Sequence, residues 1–301
     1  MRWRNRRSSG NVEDHRSVKY SGSGRGAGSP VLGLLLNMLL RRKGGKGTLI
    51  LLAVGGFFMW KMGMNPLALL SGQQIQPAQQ QGQPRAVPQN DDLAQFVGVV
   101  LAETEDVWHG LFQQQGKRYQ EPKLILFSGK VRSACGFASA ATGPFYCPGD
   151  NQVYIDLSFY RELKQKFDAP GDFAQAYVIA HEVGHHIQNL TGVLRQYHKA
   201  RKKLSEKDSN ALSVRVELQA DCYAGVWAHH TNNKGLLESG DIDEALNAAM
   251  QTGDDALQKR AQGYVVPESF NHGTSQQRMR WFNVGYKAGS MQACDTFNQA
   301  V

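Results

Sequence analysis

Apolar positions recur at three- and four-residue steps through much of the chain, which is the spacing of helix faces that pack on a core. Phe96, Val97, Val100, Leu101, Val107, Trp108, Leu111 and Phe112 predict a helix over Leu93–Gln114. Lys123–Phe127 alternates instead, as a half-buried strand does, and Val153–Leu157 predicts a second strand. Between them Gly143–Gly149 is rich in turn residues. Pro170-Gly171 then breaks the chain, and Asp172 with Gln175 has the form of a capping box. Phe173, Ala176, Tyr177, Ala180, Val183, Gly184 and Ile187 form an apolar stripe that stops at Asn189 and Gly192. Further helices are predicted over Val193–Lys207 (basic and amphipathic), Asn210–His230, Asp241–Met250 and Thr274–Ala288. Strands first and helices after define an α+β domain over 91–301.

Ahead of it the pattern changes. Residues 1–46 hold eleven Lys or Arg and two acids, so this stretch carries the whole net charge of +8 and the remainder is close to neutral. Residues 1–30 have almost no apolar content and are expected to be disordered, Val31–Leu40 is an apolar run too short to span a bilayer, and 1–46 as a whole is read as a basic disordered cytoplasmic tail. Gly47–Trp60 has no charge, and only Lys61 interrupts before Leu67–Leu70. Fourteen uncharged residues fall short of the ~20 that span a bilayer, but 47–69 suffices if Lys61 snorkels. A single-pass anchor is therefore expected. The basic excess before it places the N-terminus in the cytoplasm and the domain outside the inner membrane. Residues 70–90, with seven Gln between 73 and 83, are a tether. A basic tail beside an anchor needs no nucleic acid to explain it.

The stripe of the central helix carries His181-Glu182-Val183-Gly184-His185. Residues four apart lie on one helix face, so two imidazoles can meet one metal ion, and Glu182 stands beside it to take a proton from water. The bland alternative is an amphipathic helix with solvated histidines. Catalytic zinc usually has three protein ligands. A third His six residues after the second would be Thr191, so that class is excluded. Glu217 and Asp221 are two acids one turn apart in an otherwise apolar helix, and acids there need partners. Glu217 is assigned to the metal and Asp221 to a ligand imidazole, with the exchanged roles as the alternative.

These blocks have a family look. His181–Gly192 and Glu217-Leu218-Gln219-Ala220-Asp221-Cys222 resemble the bacterial membrane-anchored putative neutral zinc metallopeptidase family. Met1-Arg2-Trp3, Asn11–Asp14, Ala134-Cys135-Gly136, Gly143–Pro148 and Cys294–Phe297 extend the resemblance over nearly the whole chain except the tether. The resemblance implies a zincin-like fold with one zinc held by His181, His185 and Glu217, Glu182 as general base, and peptides or proteins as substrates. Downstream, His272 or Arg278 is expected to contact substrate or its oxyanion. By analogy with zincins, the strand Val153–Leu157 is expected to edge the cleft and pair with substrate.

Cys135, Cys147, Cys222 and Cys294 form no C-x-x-C, and an extracytoplasmic domain permits disulfides. Three pairings are open; Cys135–Cys147 and Cys222–Cys294 are the natural ones. The rival to a metallopeptidase is a membrane-tethered binding or assembly factor that keeps zinc for structure.

Overall fold

The computed structural model describes residues 1–21, 79–81 and 85–301. They fall into two compact units, Met1–Val18 with Gln83–Val301, and Lys19–Gly82. In the second unit, strands β2 (Lys19–Ser21) and β3 (Gln79–Gln81) pair antiparallel, Lys19 opposite Gln81 and Ser21 opposite Gln79.

The first unit is built on a four-stranded sheet in the order β1, β4, β8, β7. These strands are β1 (Val12–Asp14), β4 (Lys123–Phe127), β8 (Gln152–Asp156) and β7 (Phe145–Cys147). β1 and β8 flank β4 in parallel, and β7 closes the order antiparallel to β8. A separate hairpin joins β5 (Lys130–Ser133) and β6 (Gly136–Ser139). The helices are α1 (Asp92–Gln114), α2 (Ser158–Gln165), α3 (Asp172–Leu190), α4 (Val193–Arg201), α5 (Glu206–Asn233), α6 (Asp241–Gln251), α7 (Asp254–Gln262) and α8 (Ser275–Ala288). This is the mixed α+β architecture the pattern predicts.

Residues 1–18 correct the expectation of a disordered tail. β1 is an edge strand of the main sheet, with Val12 opposite Leu124 and Asp14 opposite Leu126. Trp3 packs edge-on against Phe96 at 5.5 Å. The arginines have partners inside the unit: Arg6 meets Glu103 at 2.8 Å and Arg7 meets Glu105 at 3.0 Å, both acids being 2% exposed. Buried carboxylates on α1 need a cation, and these arginines supply it. The α-amino group of Met1 lies against Asp172, Glu238 and Asp241 at 2.9–3.2 Å.

Met1–Val18 thus belongs to the same compact unit as Gln83–Val301. Residues 47–69 and most of the 70–90 tether lie outside the described residues; among those described, no helix is long and apolar enough to cross a membrane.

Smaller departures have local causes. The basic helix stops at Arg201, and Ser205 caps a new one by accepting from the Asp208 amide. Asp172 is the first residue of α3 rather than its cap; Glu244 of α6 accepts from the Phe173 amide instead, at 3.0 Å. The turn-rich stretch before β8 holds the short strand β7, so β8 lies between β4 and β7 instead of edging the sheet.

Candidate metal centre

α3 and α5 cross closely because Gly184 has no side chain. A Cβ there would stand 2.9 Å from the Ala220 carbonyl oxygen, so only glycine lets the backbones meet. The same device repeats between α5 and α8, where a Cβ on Gly285 would strike the Cys222 carbonyl at 1.9 Å. These approaches put three helices around one point.

At that point His181 and His185 stand one turn apart on α3, their rings 4.8 Å from centre to centre. Glu217 of α5 faces both. Its Oε2 lies 3.3 Å from His181 Nε2 and its Oε1 3.5 Å from His185 Nε2. The donor atoms of the three side chains lie within 4.8 Å of one another. Two imidazole nitrogens and one carboxylate, converging from rigid helices, are the donor set of a catalytic zinc site. The distal nitrogens agree: each Nδ1 donates its proton to a protein acceptor, which leaves each Nε2 lone pair facing the centre.

For His181 that acceptor is Asp221, at 2.8 Å. Asp221 is fully buried, one turn beyond Glu217, on the far side of the imidazole from the cluster. It also accepts from the Tyr177 hydroxyl at 2.5 Å and from Arg278 Nε and Nη2 at 2.9 and 3.0 Å. Arg278 is 5% exposed and also donates to the Tyr177 hydroxyl and to Thr252. Its guanidinium braces Asp221, and the residue also lines the cleft. For His185 the acceptor is Gln188 Oε1, at 2.9 Å. Gln188 in turn donates to the Val216 carbonyl and to Gln219, and Gln219 donates to the Cys294 carbonyl.

The two glutamates of the centre differ in character. Burial raises the Glu182 carboxyl above its ordinary range. Burial opposes ionisation of Glu217 as well, but His185 and His181 outweigh it and hold that carboxyl well below the ordinary range. One acid is built to stay ionised against cations, the other to exchange a proton. Burial alone would lower the His181 imidazole, yet Asp221 and Glu217 raise it to about 10 while no metal is bound.

His272 sits in the loop ahead of α8. Asp254 Oδ2 accepts from the backbone amides of Asn271, His272 and Gly273, and Oδ1 lies 3.1 Å from His272 Nδ1. The ring lines the same cleft as His181, Glu182, His185 and Glu217, a cavity of about 760 Å³.

Both expected disulfides are present, Cys135–Cys147 and Cys222–Cys294. The second joins the residue after Asp221 to the segment whose carbonyl anchors Gln219. His229 and His230, near the end of α5, donate to the Tyr286 and Gly289 carbonyls and tie α5 to α8. Sequence reasoning missed Tyr177, Gln188 and Asp254. The first two stood at legible spacings, four residues before His181 and three after His185.

A second acidic group, Asp172, Asp241 and Glu244, also lies within reach of one ion. It is occupied by the Met1 amino group and the Phe173 amide.

The chain is 47% identical over 301 residues, all of both chains, to "Uncharacterized protein YpfJ" of Escherichia coli strain K12. It is 44% identical over 193 residues to "Uncharacterized protein Mb2605" of Mycobacterium bovis, covering 60% of this chain and 64% of that one. No solved structure matches. The model of the family described as "Putative neutral zinc metallopeptidase" matches residues 1–297, and the chain belongs to that family.

Proposed function

We propose that this protein is a membrane-attached, zinc-dependent peptidase with a zincin-like catalytic domain. The observation that carries the reading is Glu217 facing both His181 and His185 beside a buried, proton-accepting Glu182, in an open cleft. Zinc in such a set supplies Lewis acidity, making water acidic near neutral pH and polarising a carbonyl. The chain does the rest. His181, His185 and Glu217 are the ligands of one zinc, and Asp221 and Gln188 orient the imidazoles. Glu182 takes the proton of the attacking water and passes it to the leaving amine. His272, aimed by Asp254, donates to the oxyanion of the tetrahedral intermediate.

The edge of the sheet suits an extended substrate. β7 ends the strand order, and Gly143, Phe145 and Tyr146 line the cleft. A peptide backbone added alongside β7 would cross above the centre. β7 takes the place expected of β8.

Membrane attachment belongs to residues 47–69, the uncharged stretch of the sequence. Because Met1–Val18 and Gln83–Val301 form one compact unit, both are taken to lie on the same side of the membrane. Two disulfides favour an extracytoplasmic face for the catalytic unit. Single cysteines replacing exposed Gly10 and Lys117 test this with an impermeant maleimide on intact cells. Both are expected to react; one labelled and one protected refutes the shared side.

The activity test uses the full chain, because a fragment starting near residue 91 would lack β1 and the cations of Glu103 and Glu105. Wild type and Glu182→Gln are each expected to hold one zinc, with cleavage of an unfolded protein by wild type alone. Zinc in both with cleavage by neither favours a zinc-stabilised binding factor. No zinc in either removes the ligand assignment.

A further inference from the structure

We infer that the cleft selects a bulky apolar side chain, aromatic or branched aliphatic, on one flank of the bond to be cut. This rests on the peptidase reading above and supplies its substrate class.

The two ends of the cleft have unlike chemistry. Toward the start of α3, the wall is made by Phe159, Phe167, Val178 and Leu257. Val178 stands one turn before Glu182 on α3, so this wall begins beside the general base. Phe159 and Phe167 pair with ring centres 6.3 Å apart, and both remain partly open toward the cleft. An added Cβ on Gly143 would touch the Phe159 ring at 3.8 Å, so the wall adjoins the loop that leads into β7. A peptide running along β7 would therefore place one side chain against these rings.

The one carboxylate at this end is Glu162, which pairs with Lys166 at 3.0 Å near solvent. The Arg260 guanidinium lies over the Phe167 ring at 5.3 Å, a contact that uses its charge on the aromatic face. Neither is free to recognise an ionised side chain. At the other end of the cleft, beyond His185, Leu194 and Val216 are deeply buried, and Tyr197 and Ser213 bond each other through their hydroxyls at 2.7 Å. That end is mixed in character and lacks the pair of partly open aromatic rings.

Covering open aromatic surface with a large apolar side chain, rather than a methyl group, is worth about ten- to a hundredfold in kcat/KM. The test is cleavage of uncharged peptides, each varied at one position, by the full zinc-loaded chain, with cut sites read by mass spectrometry. Phe, Tyr, Trp, Leu or Met is expected at one fixed flank, about ten- to a hundredfold above Ala, with Asp and Lys disfavoured. Phe159→Ala and Phe167→Ala are expected to collapse the Phe-over-Ala ratio, and Phe159→Leu to retain part of it. Zinc content and thermal melting identify any variant that misfolds.

Cuts without apolar enrichment, or a preference that survives in both alanine variants, overturn the inference. Should wild type cut nothing, anisotropy of labelled Phe and Ala peptides on the Glu182→Gln chain decides the matter. Tighter binding of the Phe peptide upholds the inference while the peptidase reading fails; equal binding removes both.

Discussion

His181 and His185 occupy one turn of one helix and face one carboxylate, yet their far sides are held by opposite chemistry. His181 donates to an ionised Asp221, itself clamped by Arg278 and Tyr177. His185 donates to a neutral amide, Gln188, in a relay of amides and carbonyls that ends at Cys294. The first support gives the imidazole strong basicity and carries a heavy desolvation cost that only complete pairing offsets. The second orients its ring without adding a charge. A buried centre therefore needs one charged brace at most, and the fold confines that brace to the contact of α5 with α8.

The sharpest way to break this comparison is Asp221→Ala. It leaves the Arg278 guanidinium buried without its anion, and a loss of about 3–5 kcal/mol in unfolding stability is expected. Urea unfolding measures it, and a loss below about 1 kcal/mol would mean that the clamp is not the costly element. The crosslink comes next. Replacing Cys222 and Cys294 by Ala frees two points 72 residues apart and is expected to cost about 2–4 kcal/mol. Because Cys294 anchors the amide relay, the same variant is also expected to hold zinc more weakly.

His186 is a third case in the same helix and sharpens the contrast. Its ring is fully buried, with Nε2 donating to the Gln120 carbonyl and the Tyr146 hydroxyl 3.0 Å from Nδ1. Burial without an anion lowers its pKa to about 4. The folded state thus refuses a proton that the unfolded chain accepts near 6.5. The stability involved is complete above pH 6.5 and falls as pH drops toward 4, by about 3 kcal/mol in all. Unfolding curves across that window are expected to be flatter for His186→Gln than for wild type.

The smallest effect belongs to the neutral brace. Gln188→Leu removes the acceptor of His185 while burying no charge. Zinc affinity is expected to fall about ten- to a hundredfold, by chelator competition, with melting little changed once zinc is saturating. Equal zinc losses from Gln188→Leu and Asp221→Asn would erase the distinction between the two supports.

Much of the centre was legible because its spacing is a helix property. His181, His185, Glu217 and Asp221 are pairs four apart, and a helix places such pairs on one face wherever it sits. Arg278 was legible as a charged residue near the site, but not its partner, since the distance from Asp221 closes only when α8 packs on α5. The first eighteen residues were misread for the same reason. Their pattern is basic and poor in apolar groups, and nothing local shows that Val12–Asp14 pairs with Leu124–Leu126. One signal was present: Glu103 and Glu105 sit among the apolar positions of α1, and buried acids ask for distant cations.

By itself the sequence determined the α+β order of elements, the metal-ligand spacing on α3 and α5, and the four cysteines available to pair. These follow from local periodicity and residue chemistry, which the chain carries wherever it goes. Tertiary structure alone decided which strand edges the cleft and which cation braces Asp221. It also placed the N-terminal residues in the same compact unit as the candidate metal centre. Each of these depends on a contact between segments far apart in the chain, where burial makes an unpaired charge or an open strand edge too costly to leave unmet.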